Sequence, residues 1–562
     1  MRGTAASLSS LLLRPPRYPI HKAPSLTSPA HRPIRSLYTM QFNASNSELG
    51  YPDRTFRTEL LPCESDSTVS FQEAGPSRYT LNAEPYTKAL PVISSSTTRN
   101  SLSIAAEHLR SGQLVSFPSE TVYGLGANAL SQSAASKIYA AKKRPADNPL
   151  IVHVSDLEML DTLLPQQYTM SEAYRELIKA FWPGALTLLF PVDLERPAVP
   201  KVVTCGHASV AVRMPSHPIA RALIASAGLP MAGPSANASG RPSPTTAAHV
   251  MRDLGGQLDA ESVVGGCDGE KGRLKYILDG GACQVGVEST VIDGITAKDE
   301  IRVLRPGGVT VEQIAAVLDK TGLANKVRLR VYGKDMERSA DQESNPTTPG
   351  MKYRHYSPTA RVVMLLPAKL FARAVESSSN KSAPAPRAGS SSSSEKVVQS
   401  LVSRDTDTSR TPQTFADIAR DQISNHLPRD RPSSKSSTLH IGLMMSSDSD
   451  VARLISASSP SSSSETTPSS SRSIHPHLLP PFTLPQLDHV VIHAFDLGPS
   501  RSAEVYAQRM FDGLRTLDEG PLRGGGDKCE LIFVEALDDA GVGLAVMNRL
   551  KKAASATVVL DC

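Results

Sequence analysis

The chain has little of what marks several large classes of protein. One Trp, 14 Tyr and 12 Phe in 562 residues leave aromatics at 5%, against 43 Pro and 36 Gly. That is too little large apolar surface for the whole length to be packed, so one or two compact domains are expected between long disordered stretches. No run approaches the ~18 to 20 apolar residues that span a bilayer, which excludes a membrane-spanning helix, and no membrane partner is expected. Six cysteines, at 63, 205, 267, 283, 529 and 562, show no paired spacing and no CxxC, excluding a disulfide scaffold and a structural zinc site. With 60 Lys+Arg against 55 Asp+Glu, the net charge of +5 does not announce a nucleic-acid surface. Common catalytic motifs are missing too: there is no P-loop, GxSxG elbow, HExxH or EF-hand loop, and Gly124-Leu125-Gly126 lacks the third glycine of a dinucleotide fingerprint.

What is present is organised along the chain. Before the first acidic residue, Glu48, stand Arg2, Arg14, Arg17, Lys22, Arg32 and Arg35 among Ser, Pro and Leu11-Leu12-Leu13. An Arg- and Ser-rich, acid-free start has the composition of a mitochondrial transit peptide, with an ordinary disordered tail as the alternative. Initiation at Met40 would remove it, so a cytoplasmic protein with a mitochondrial form is expected. Residues 1–91 read as a disordered leader.

From residue 92 the pattern becomes globular. Apolar runs at 114–117, 150–154, 185–190, 209–213, 285–292 and 301–304 read as strands, and 134–142, 170–181, 219–227, 245–254 and 311–319 as helices. Their alternation over 92–330 argues an α/β domain. Residues 331–359 read as a linker. A smaller α/β domain follows over 360–562, with strands near 361–366, 439–444, 490–495, 531–534 and 557–560. Its helical stripes are Ala503, Ala507, Met510, Phe511, Leu514 and Leu544, Met547, Leu550. Ser/Pro-rich tracts mark disordered insertions at about 376–436 and 456–485.

Polar clusters stand at the strand and helix ends of the first domain, where open α/β sheets bind ligands. They are PSETVYGLG from Pro118, Lys142-Lys143-Arg144-Pro145 with Asn148 and His153 beyond it, Ser209 to Arg213, GPSANASGRPS from Gly233, Glu288-Ser289-Thr290, and Arg305-Pro306-Gly307. Singly, each is also a turn, a helix cap or a structural polar residue. Jointly they offer cations, hydroxyls and an Asn with no nucleophile–base pair, which suits holding a polyphosphate better than covalent catalysis.

In this order the clusters closely resemble the YrdC-like family of threonylcarbamoyl-AMP synthases, over about residues 94 to 320. The family's split Lys-x-Arg and Ser-x-Asn signature matches Lys142, Arg144, Ser235 and Asn237, which the resemblance implies as the catalytic constellation. Thr348 to Pro358, TPGMKYRHYSP, and the segment GVGLAVMNRLKKAA from Gly541 resemble the linker and end of the family's long, two-domain form. The implied fold is an open twisted mixed sheet with helices, plus a smaller Rossmann-like C-terminal domain. The implied reaction joins L-threonine, bicarbonate and ATP into threonylcarbamoyl-adenylate and pyrophosphate, with Mg²⁺ on the ATP and no protein-held metal. The product would pass to a tRNA threonylcarbamoyl transferase, and stable nucleic-acid binding is not required. Thr121, His153, Arg213 and Ser289 would hold threonine; Arg144, Asn148, Ser209, Ser235, Ser243 and Arg305 the nucleotide, with His355 and Tyr356 closing over the phosphates.

Three departures stand out: an insertion near 262–276, Thr348 in place of the usual Ser, and the two Ser-rich tracts. An RNA-binding factor of the same fold without turnover is the alternative reading. Carbamoyl transfer in hydrogenase maturation would call for cysteine pairs that the chain lacks.

Overall fold

The computed structural model describes residues 56–64, 66–73, 89–256, 273–332, 336, 355–372, 414–426, 438–458, 475–487, 489–520 and 528–560. The basic leader, most of the 262–276 insertion, residues 352–354 and the Ser-rich tracts at 377–379, 390–394 and 461–464 lie outside them.

Eleven strands of the described residues form one mixed sheet. Across it they run Glu59–Pro62, Tyr276–Asp279, Val115–Phe117, Gly124–Asn128, Met231–Ala232, Ile151–His153, Ser209–Arg213, Leu186–Pro191, Thr290–Asp293, Glu300–Arg305 and Arg328–Val331. Both faces are covered, so the central strands are continuous apolar runs rather than alternating ones. Helices Gln132–Lys142, Glu172–Phe181 and Val311–Lys320 close one core over Leu186, Leu188, Phe190 and Val212. Helices Ser96–Arg110 and Pro218–Ala227 close another over Val115, Phe117 and Leu278. Several of these helices begin at hydroxyl caps: Ser95 accepts from the Thr98 amide, Ser131 from Ala134 and Thr310 from Gln313.

The second sheet is all parallel, in the order Val490–Asp496, Leu439–Met445, Leu531–Glu535, Arg361–Pro367, Ala556–Leu560. Val362, Met364 and Leu366 face helices Ala503–Glu519 and Val542–Ala553, while Val363 and Leu365 face Phe415–His426 and Asp450–Ser458. This is a doubly wound, Rossmann-like layering.

The two sheets share a core. Val122, Val287 and Tyr356 pack with Phe511, Met510 and Val546 of the second domain. Gly286, at φ +74°, lies so close to helix Ala503–Glu519 that a Cβ there would overlap the Gln508 backbone. Around this contact Arg515 pairs with Asp253 at 2.7 Å, both fully buried, and Arg241 reaches Asp253, Asp518 and Glu519.

The structure departs from the sequence reading at several places. Residues 1–91 are not all leader: Glu59–Pro62 joins the edge of the large sheet beside Tyr276–Asp279, and Val69–Glu73 pairs with Ala89–Ile93. These short segments carry no periodic signal, and partners some 20 to 220 residues away make them strands. The PSETVYGLG segment leads into a strand, and Gly124 is there because a side chain would overlap the Phe117 ring. Within the two expected insertions, Phe415–His426 is a helix and residues 475–487 run against strand Val490–Asp496 through Leu478 and Phe482. The 285–292 run is a strand only from Thr290, since its first half bends over the loop bearing Glu120 and Thr121.

Candidate functional site

Sheet register gathers the first part of the site. His153 and Arg213 are direct partners on parallel strands, so their side chains leave the same face. Arg213 is buried: Nε donates to the Gly184 carbonyl at 3.0 Å, Nη1 to Thr121 Oγ1 at 2.8 Å, and Nη2 lies 2.6 Å from Glu120 Oε1 as an ion pair without hydrogen-bond geometry. Burial alone would raise the Glu120 carboxyl, but Arg213 outweighs it and holds the group below its ordinary value. Burial, with Arg213 beside it, lowers His153 to about 3, so its imidazole is neutral, and its buried Nδ1 has no partner among the described residues. The bent 285–289 segment is tied down by bonds from Val285 and Gly286 amides to the Glu120 and Thr121 carbonyls. That bend delivers Ser289, whose hydroxyl meets Thr187 at 2.7 Å and accepts from Arg305 at 3.2 Å.

The second part is built from loops. Residues lining the cleft include Ser119, Thr121, Arg144, His153, Arg213, Ser235, Glu288, Ser289, Arg305, His355 and Tyr356, around about 570 Å³ of space counted with its open mouth. Tyr356 forms one wall in a left-handed conformation, φ +68°, which costs a bulky residue on the order of 1 to 3 kcal/mol. Phe511, at a ring distance of 5.3 Å, and the buried environment hold it there. Burial, then Glu288, push its phenol up to about 12, while burial, then Arg144 and Lys142, lower His355 to about 4.

Of the residues singled out from sequence, Thr121, Arg144, His153, Arg213, Ser235, Ser289, Arg305, His355 and Tyr356 come together around this cleft. Lys142 and Asn237 stand behind it. The Lys142 ammonium donates to the Ser235 and Asn237 carbonyls at 2.5 Å each, and Asn237 accepts from the Ser235 hydroxyl at 2.5 Å while donating to Ala238 and Arg241. Both therefore shape the 233–241 loop; burial, then Arg144, hold Lys142 well below the usual ammonium range. Asn148 is buried and its carbonyl accepts from Arg144, whereas Ser243 is covered and donates to Glu288 at 2.5 Å. Ser209 pairs with Pro191 at a strand start and is not among the lining residues.

Sequence reading placed Glu120 and Glu288 in polar clusters but gave neither a role. Each is a carboxylate within an otherwise apolar or hydroxyl-rich segment, a signal that a buried arginine faces it. It also missed the arginines of the second domain, which no local pattern marks.

A mixed α/β domain that turns three arginines, several hydroxyls and a neutral histidine into one cleft defines a binder of small anionic substrates. Two family models match the chain in succession. One is described as telomere recombination, of the Sua5, YciO and YrdC type, over residues 107–307; the other as threonylcarbamoyl-AMP synthase, C-terminal domain, over 309–555. Threonylcarbamoyl-AMP synthase of Schizosaccharomyces pombe is 45% identical over 302 residues, covering 50% of this chain and 68% of that protein. The Bacillus subtilis enzyme of the same name is 46% identical over 266 residues, covering 47% and 66%. The crystal structure of P. abyssi Sua5 complexed with L-threonine matches with a TM-score of 0.52 at 31% identity, over 82% of this chain and 96% of that one. The chain belongs to the threonylcarbamoyl-AMP synthase family, in its form with both the YrdC-type and the C-terminal domain, and is a nucleotidyltransferase.

Proposed function

We propose that this cleft condenses L-threonine, bicarbonate and ATP into threonylcarbamoyl-adenylate and pyrophosphate. The observation that supports it most directly is the meeting of Thr121, His153, Arg213 and Ser289 beside Arg144, Ser235 and Arg305 in a single cleft. The first group suits an amino acid with a hydroxyl: Arg213 for the carboxylate, and neutral His153 with Thr121 and Ser289 for polar contacts. The second group, with Ser243 and Asn148 supporting it from behind, suits the phosphates and nucleoside.

In this reading the nucleophile belongs to the substrate. Threonine's amine takes up carbon dioxide from bicarbonate as a carbamate, whose oxygen attacks the α-phosphorus while pyrophosphate leaves. The chain's tasks are alignment of the two reactants and neutralisation of charge on the phosphates by Arg144 and Arg305. Lys142 and Asn237 serve by fixing the loop that carries Ser235. Tyr356 and His355 cover the cleft and exclude water from the mixed anhydride.

Among the described residues no three His, Cys, Asp or Glu side chains converge as a metal cage, and both oxygens of Glu288 are engaged. In this reading Mg²⁺ would come with the ATP, on phosphate oxygens and water.

The test is pyrophosphate release with threonine, bicarbonate and ATP each left out in turn. Release needs all three, and full activity without threonine would reject the assignment. The product then passes to a transferase that modifies tRNA. A mitochondrial form is proposed on the leader composition alone; a reporter fused to residues 1–45 should enter mitochondria, and a diffuse cytosolic signal would refute it.

A further inference from the structure

The second domain reaches the cleft through Arg549, a buried side chain of helix Val542–Ala553. Its Nε donates to Glu288 Oε2 at 3.0 Å, and its Nη1 donates to the Pro306 and Ala545 carbonyls. The guanidinium also lies 5.9 Å from the centre of the Tyr356 ring. The contacts outside its own helix are each one step from a group facing the cleft. Glu288 lines it, Pro306 directly follows Arg305, and Tyr356 is its wall.

Glu288 is the anomaly that gives the arrangement meaning. A carboxylate among the lining residues of a cleft for polyphosphate would repel its ligand, all the more in a buried setting where charges are weakly screened. Burial would raise its carboxyl, but Arg549, then Arg305, bring it down to about 2, so it is ionised at neutral pH. Its Oε1 is occupied by the Ser243 hydroxyl and its Oε2 by Arg549. The carboxylate is thus turned toward the second domain, and its largest compensating charge comes from there.

We propose that Arg549 is a positioning residue for the nucleotide: it cancels and orients Glu288 and fixes the backbone beside Arg305, so that the C-terminal domain completes the ATP half of the site. This rests on the nucleotide assignment made above for Arg144, Ser235 and Arg305.

The experiment uses the full chain and pyrophosphate release, varying ATP and threonine separately. Arg549→Met should raise the KM for ATP at least about tenfold, with the KM for threonine within about threefold of wild type. Adding Glu288→Gln to Arg549→Met removes the unpaired negative charge and should return the ATP KM to within about threefold of wild type. An arginine that only glues the domains together would shift both KM values alike, and Glu288→Gln would restore nothing; either result overturns the proposal. If Arg549→Met fails to fold by thermal melting, Arg549→Gln carries the test, because it keeps a hydrogen-bond donor and loses the charge. It should raise the ATP KM alone, and an unchanged value refutes the role. Arg305→Ala separates the two levels. An unchanged ATP KM in that variant rejects the nucleotide assignment and this proposal together, whereas a raised one with Arg549→Met at wild type rejects this proposal only.

Discussion

Replacing Arg213 with Met separates what the residue does for the fold from what it does for the substrate. The substitution keeps the aliphatic stem and deletes three interactions: with the Gly184 carbonyl, the Thr121 hydroxyl and Glu120. Glu120 is then a buried carboxylate without its cation, kept only by the Ser216 amide at 3.2 Å. Truncating one partner of a buried pair costs about 3 to 5 kcal/mol of stability, and protonation of Glu120 would moderate the loss. Adding Glu120→Gln removes the stranded charge, so the double variant should regain most of that stability in a urea melt. Threonine binding should not return with it. A charge-assisted bond to the substrate carboxylate is worth roughly 1.5 to 3 kcal/mol, or about 10- to 150-fold in affinity. Pyrophosphate release with threonine varied at saturating ATP measures this directly in the folded double variant. A threonine KM at the wild-type value there would show that Arg213 is a structural partner of Glu120 and no more.

Other consequences follow from the same geometry. His153 is neutral in the fold down to about pH 3 but takes a proton near 6.5 once unfolded, so its share of stability is complete above 6.5 and is lost as pH falls toward 3. His153→Asn should therefore flatten the decline of the urea midpoint between pH 6.5 and 4, and an unaltered slope would refute this. Tyr356→Gly suits the left-handed backbone while deleting the wall of the cleft, so the domains should stay docked while turnover falls at least about tenfold, roughly 1.4 kcal/mol on the barrier; wild-type turnover would make the segment a tether. Gly286→Val would drive a side chain into the Gln508 backbone, and limited proteolysis should then cut between the domains faster than in wild type. Unchanged protection would show that the contact adapts.

Legibility in the sequence followed the range of the interactions. Strands such as Leu186–Pro191 and Ser209–Arg213, and helices such as Gln132–Lys142, carry their own apolar pattern and caps, and their sequence-read ranges agree closely with the structure. Glu59–Pro62 and Met231–Ala232 owe their strand form to partners far along the chain, and Gly124–Asn128 pairs both with nearby Val115–Phe117 and with distant Met231–Ala232, so no apolar alternation of their own reveals them. The site divides the same way. Side chains facing the cleft stand at the ends of legible elements, whereas the supports of Glu120 and Glu288 are 93 and 261 residues away, at Arg213 and Arg549. Lys142 stands in a recognisable motif, and its hydrogen bonds to the Ser235 and Asn237 carbonyls reach a loop far along the chain that the motif alone does not reveal.

The charge pattern of the cleft explains why both carboxylates are tolerated and why their partners differ. Free threonine at neutral pH is a zwitterion with no net charge, and the Arg213–Glu120 pair opposite its proposed place is likewise balanced. ATP is a polyanion, and the half proposed for it keeps Arg144 and Arg305 with no free carboxylate to oppose them. Glu288 opposes that excess less because its Oε2 is bonded by Arg549, a residue that does not itself line the cleft. If Arg305 had to serve as the counter-ion of Glu288, the nucleotide half would lose one of its two cations. The counter-ion therefore has to come from behind the wall, and here the domain that packs against the wall supplies it. Docking of the second domain and readiness of the first for a polyanion are one event by this logic, whatever further service the second domain performs.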